Sequence, residues 1–139
     1  MSVVPTVNAV AWLHWQDEKV LCVRSKGKDK FYIPGGKYEE GESDREALMR
    51  EISEELGVTL IVESIKEQIV VHAPAHGYVE STRVEMKCFE ARYVGALEVD
   101  SEIDELAWLS FEERDRCAPA AKLAIEHLQN AGYLTEGSA

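Results

Sequence analysis

The chain has 139 residues, 45% of them hydrophobic and 29% charged, with a formal net charge of −11 and an isoelectric point near 4.8. This length and balance suit one globular domain, 1–139, with a real core. The acidity excludes a nucleic-acid polymer as the expected partner, because such binding needs basic patches, and no apolar run approaches the roughly 20 residues of a bilayer span.

The N-terminal stretch "MSVVPTVNAVAW" has neither a basic leader nor a signal-peptide core, so a cytoplasmic location is expected. Three cysteines, Cys22, Cys88 and Cys117, are too few and too far apart for a disulfide framework or a cysteine zinc site. Buried structural thiols are expected at all three.

In chain order, Val7 to Trp15 is rich in strand formers, Gln16 to Lys19 reads as a turn, and Val20 to Ser25 as the returning strand. Lys26 to Lys30 is a polar loop, and Phe31-Tyr32-Ile33 a short strand stopped by Pro34-Gly35-Gly36. Ser43 and Glu46 then form an S-x-x-E capping box. Leu48, Ile52 and Leu56 give an apolar stripe at helical spacing, and Gly57 is suited to end the helix. Val58 to Val62, Ser64 to Ala73 and Arg83 to Val94 read as strands, as does Glu105 to Ser110. Pro119 to Tyr133 closes the chain as a helix with Ala121, Ile125 and Leu128 facing inward, and 134–139 is expected to be a loose tail. The class is α/β.

At about 100° per residue, Glu51, Glu54 and Glu55 share a flank next to the apolar stripe of the central helix. Like charges so spaced repel. Either the flank is a solvated acidic face or a cation binds there. Hard divalent ions take oxygen ligands and keep positions for water and substrate phosphate. Glycines before the helix let a backbone carbonyl approach and complete such a site. Arg24, Lys26, Lys28, Lys30 and Lys37 are candidate phosphate contacts, Arg24 first, against a solvated basic loop. His14, His72, His76 and His127 lack ligand spacing as a group, and Trp12, Trp15 and Trp108 read as core. Phe31 or Tyr32, beside the glycines, is a candidate nucleobase contact.

Gly36 to Val58, "GKYEEGESDREALMREISEELGV", resembles the signature box of the Nudix (MutT-like) family. Gly36, Glu42, Arg50, Glu51, Glu54, Glu55 and Gly57 fill its fixed letters, and Ile52 and Val58 its aliphatic ones. The resemblance implies an α/β/α sandwich around a mixed β-sheet. It also implies Mg²⁺- or Mn²⁺-dependent hydrolysis of a nucleoside diphosphate linked to another group, in a monomer or homodimer that acts on a small-molecule nucleotide. It implies Glu51, Glu54 and Glu55 as metal ligands, with the Gly35 carbonyl a fourth. Glu51 and Glu54, positioned by Arg50, would be catalytic, Glu42 supporting, and Gly36 and Lys37 on the substrate. A late carboxylate six residues before a strand tryptophan falls on Glu102, against a plain charged turn.

The substrate is less defined. Related guanine-nucleotide enzymes read the base with an asparagine in a P-A-N segment, where this chain has Pro119-Ala120-Ala121. A proline about 16 residues past the box, associated with ADP-ribose hydrolases, falls on Pro74, which an ordinary loop also explains. A nucleoside triphosphate is the first expectation. A nucleotide sugar, or a sensing module without turnover, is the alternative.

Overall fold

The chain is described here from a computed structural model covering residues 5–75, 82–100 and 102–134. Strands β1 (Thr6–Trp12), β2 (Trp15–Gln16), β3 (Lys19–Ser25) and β4 (Gly35–Lys37) precede helix α1 (Asp44–Leu56). Strands β5 (Thr59–Leu60), β6 (Lys66–Pro74), β7 (Arg83–Glu90), β8 (Tyr93–Val94) and β9 (Ile103–Ser110) lead to helix α2 (Pro119–Asn130).

Side chains alternate across a strand, and here both faces are covered. On β1, Val10 and Trp12 join Leu48, Ile52 and Leu56 of α1 in one core cluster. Ala11 and Leu13 join Ala121, Ala124, Ile125 and Leu128 of α2 in the other. The two helices therefore lie on opposite faces of the sheet layer, an α/β/α sandwich. The main sheet is mixed, in the order β4-β1-β7-β6, with β1 and β7 parallel. A second sheet, β2-β3-β9, is antiparallel. The three cysteines are free and buried, as expected.

Both helices form as their sequences direct. Ser43 Oγ accepts from the amide of Glu46, whose carboxylate accepts from the Ser43 amide, and Gly57 ends α1 at φ 69°. Pro119 occupies the first turn of α2, which stops at Asn130, short of Tyr133.

Several expectations change: the strand expected over Val58 to Val62 is only Thr59–Leu60, and that over Arg83 to Val94 breaks into Arg83–Glu90 and Tyr93–Val94. The strand expected from Val7 to Trp15 splits at Leu13 and His14, where the chain leaves one sheet for the other. Phe31 and Tyr32 make only isolated bridges, to Cys117 and Val23. The strand instead forms on the supposed breaker: Gly35–Lys37 pairs with β1, Ala11 opposite Gly35 and Val10 opposite Gly36. A side chain at Gly35 would place its Cβ 2.0 Å from the Val10 carbonyl oxygen, so only glycine permits this approach. Finally, Leu134 is buried in the α2-side core rather than loose; 135–139 lie outside the described residues. A short 3-10 helix over Phe111–Arg116 was not expected, although Ser110 and Glu113 form a second S-x-x-E box that marks it.

Candidate active site

β4 runs past the acidic flank of α1, so the glycines and the carboxylates meet. The guanidinium of Arg50 organises them. Its Nε and Nη2 donate to the two Glu42 oxygens at 2.7 and 2.8 Å, a bidentate fork. Nη1 donates to Glu51 at 2.9 Å and more distantly to Glu54 at 3.4 Å, and Nη2 also reaches the Lys37 carbonyl at 3.0 Å. This fork, with a bond from the Glu39 amide, holds the Glu42 carboxyl down at about 2. Arg50 itself is pushed further above its already high value by the same partners.

Glu51 is only 17% exposed, and its carboxylate fills the space over Gly36. A Cβ at Gly36 would lie 2.5 Å from Glu51 Cδ. Glu55 accepts from the Gly35 amide at 3.2 Å. Burial, then the charge of Glu51 and a hydrogen bond with that carboxyl, raise the Glu55 carboxyl to about 8, with Glu54 adding to the rise. Glu54 is 52% exposed, at the rim.

These residues fit a hard divalent cation. The donors are all oxygen, two carboxyls crowd one another at low solvation, and the Gly36 cradle keeps Glu51 beside Glu55. Among the described residues, no group of three or more acidic, histidine or cysteine side chains is placed to hold a metal ion by itself. A cation held by one or two carboxylates would take its remaining ligands from water and phosphate.

A cleft of about 270 Å³ opens from this point. Gly35, Gly36, Lys37 and Glu55 line it, together with Tyr32, Lys28, Pro74, Val84, Met86, Ala118 and Ala120 among others. Sequence reasoning named Pro74, Tyr32, Lys28 and Lys37, but not Val84, Met86 or Ala118. The alternation of β7 gave a signal for Val84 and Met86 as one face, without saying what that face would meet.

Other candidates fall elsewhere. Arg24 donates to Asp104 and Glu105 at 3.0 Å and to the Lys28 carbonyl at 3.2 Å, so its guanidinium is engaged in ion pairs and not open to phosphate. Opposite charges on the facing strand β9 explain this. Phe31 is buried and cannot meet a base. Lys30 is tied to the Asp115 carbonyl. Glu102 is an exposed turn residue whose carbonyl accepts from the Lys26 amide. Two residues earlier, the Asp100 amide bonds the Glu55 carbonyl, which brings this turn past the end of α1. Trp12 is fully buried, with His14 stacked on it at 4.7 Å. His76 lies outside the described residues.

The family model for the NUDIX domain matches residues 4–129, nearly the whole chain. The chain belongs to the Nudix family. An uncharacterised Nudix hydrolase, YvcI of Bacillus subtilis, is 29% identical over 92 residues. That match takes in 66% of this chain but only 58% of the relative's length. The MutT Nudix hydrolase of Burkholderia pseudomallei superposes with a TM-score of 0.75 at 21% identity, over 88% of this chain and 98% of that one. A UDP-X diphosphatase superposes at 0.68 with 24% identity, over 94% of this chain and 64% of that one. At such identities the two structures establish a common Nudix fold. Among the described residues, no helix is long and apolar enough to cross a membrane.

Proposed function

We propose that this Nudix domain is a divalent-metal-dependent pyrophosphohydrolase that cleaves a nucleoside diphosphate linked to another group, a nucleoside triphosphate first. One observation carries the reading. A single arginine fork fixes Glu42 and Glu51 while Gly36 seats Glu51 beside Glu55, which lines a cleft.

Glu51 and Glu55 would hold the cation, with Glu54 and the Gly35 carbonyl as further donors and Glu102 as a candidate from the late turn. Mg²⁺ or Mn²⁺ held there would supply charge neutralisation for the diphosphate and a more acidic water. The chain's own residues do the rest. Arg50 keeps Glu51 from swinging away, and Glu42 keeps Arg50 in place, so orientation is built in before substrate arrives. Glu54 is loosely held and solvent-facing, which suits it to take a proton from the attacking water. Glu51 is the second carboxylate for that task. Gly36 and Lys37 line the cleft beside them, and the Lys37 ammonium suits a phosphate. In-line attack at phosphorus then needs positioning more than covalent chemistry.

Pro74 supports a second reading, a nucleotide-sugar pyrophosphatase, because it lines the same cleft. A panel of triphosphates, ADP-sugars and dinucleoside polyphosphates, incubated with the protein and Mg²⁺, separates these readings by the products released. Binding without any phosphate, pyrophosphate or monophosphate product would favour a sensing module instead.

A further inference from the structure

The loop between β4 and α1 carries Glu42, the carboxylate that anchors Arg50. Inside the loop, the Glu42 amide donates to the Glu39 carbonyl at 3.0 Å, and the Glu39 amide donates to the Glu42 carboxylate at 2.7 Å. These bonds close the loop on itself. They do not fix it to the sheet.

Tyr38, the first residue after β4, supplies such a tie. Its ring packs against the α1-side core, and its hydroxyl donates to Asp44 Oδ1 at 2.6 Å. That is the length of a charge-assisted O–H···O⁻ bond. Burial, then the bond to Asp44, pushes the phenol above its ordinary value, so the donor keeps its proton. Asp44 is the first residue of α1, but the box of Ser43 and Glu46 already caps that helix end, which leaves the Asp44 carboxylate to bond outward. Its second oxygen lies 3.5 Å from Lys87 Nζ of β7. Lys87 and Gly36 both stand opposite Val10, one on each side of β1. Residues directly opposite one another share a face of the sheet. Asp44 and Glu51 are seven residues apart, about two helical turns, so they share a side of α1. One row of the sheet therefore meets that side twice: Gly36 seats Glu51, and Lys87 meets Asp44. The Lys87 pair is part-exposed and adds little to stability by itself. Its effect is orientation.

We infer that Tyr38 is a positioning residue: with Asp44 and Lys87 it clasps the β4–α1 loop to the sheet, which sets Glu42 against Arg50 and so fixes Glu51. Its effect on turnover rests on the hydrolase reading. Its effect on the Glu42–Arg50 pair does not.

Tyr38→Phe keeps the ring and removes the tie, so it is the test variant. With Mg²⁺ and the best-hydrolysed of ATP, GTP, CTP, UTP and ADP-ribose, its kcat should fall by about 10-fold or more at unchanged KM, as a misplaced group predicts. A wild-type kcat, or a loss confined to KM, overturns the inference. Ser110→Ala, which breaks the second S-x-x-E box, is the control. It should lower the melting temperature and leave kcat unchanged. An equal fall in kcat there would make the Tyr38 effect one of general destabilisation and overturn the inference. Melting of the metal-free protein gives a readout apart from activity. Tyr38→Phe and Glu42→Gln together should lower the melting temperature by less than the sum of the two single losses, because each loosens the same clamp. Additive losses overturn the inference. If the wild type hydrolyses none of the five nucleotides, the hydrolase reading falls, and the melting cycle alone decides the clasp.

Discussion

The Gly35 amide donates to the Glu55 carboxylate across 3.2 Å, joining the edge strand to the end of the helix twenty residues later. The bond needs a strand without side chains on one side and a carboxylate with little water on the other. Several consequences follow from that pairing.

The two glycines of β4 should respond differently to alanine. At Gly36 the new Cβ meets the tip of the Glu51 side chain, at 2.5 Å from Cδ, and a flexible tip can yield at the expense of its Arg50 contact. Gly36→Ala should therefore fold while turnover drops by about 10²-fold, as expected for a displaced catalytic group. At Gly35 the Cβ meets backbone, 2.0 Å from the Val10 oxygen. Gly35→Ala should cost about 1–3 kcal/mol of stability or more, as overpacking does. Melting temperatures and rates measured on both variants check this. Equal effects on the two properties would contradict it.

Arg50→Lys should fail to rescue function. Lysine is a point charge and cannot span both oxygens of Glu42 while reaching Glu51. Turnover in Arg50→Lys should fall nearly as far as in Arg50→Ala. Recovery of most of the rate by lysine would show that charge alone matters.

Acid should loosen the same clamp. Glu42 sits at about 2 in the fold against 4.5 ordinarily, so its contribution to stability is complete above about 4.5 and is lost as pH falls toward 2. Denaturation midpoints between pH 6 and pH 2 should fall more steeply for wild type than for Glu42→Gln. Parallel curves would remove the Arg50 pair from the stability account.

Glu55 has the opposite sign. Its carboxyl is raised from 4.5 to about 8, so the metal-free fold keeps a proton that the unfolded chain gives up, and stability falls as pH rises across that window. A bound cation replaces that proton. The rise in melting temperature on adding Mg²⁺ should therefore grow from pH 5 to pH 8 and vanish in Glu55→Gln. A shift independent of pH would place the cation elsewhere.

Removing the helix cap tests the fold apart from the site. Ser43→Ala deletes the bond from the Glu46 amide and should cost about 1 kcal/mol. For a chain of this size that is roughly 3–5 °C in melting temperature. No change would mean that α1 is held by its packed face alone.

The parts legible in the sequence were those with local rules. Ser43, Glu46 and Gly57 mark the ends of α1, and Leu48, Ile52 and Leu56 its buried face, because capping and helical periodicity act within a few residues. Matching the box letters put Arg50 and its glutamates together. Long-range pairing was not legible. Gly35 and Gly36 looked like a strand breaker because a glycine's close approach to a neighbouring strand shows only when β1 is present. Arg24 looked like a phosphate contact because Asp104 and Glu105 face it from eighty residues away.

Nucleoside triphosphate hydrolysis by the full chain, followed against free Mg²⁺ with Glu51→Gln and Glu55→Gln beside wild type, is the most direct test. Turnover should vanish on chelation, return with Mg²⁺ or Mn²⁺, and fall by orders of magnitude in both variants while they stay folded. Hydrolysis that survives chelation, or that proceeds at wild-type rates without these carboxylates, would contradict a cation held on this flank of α1.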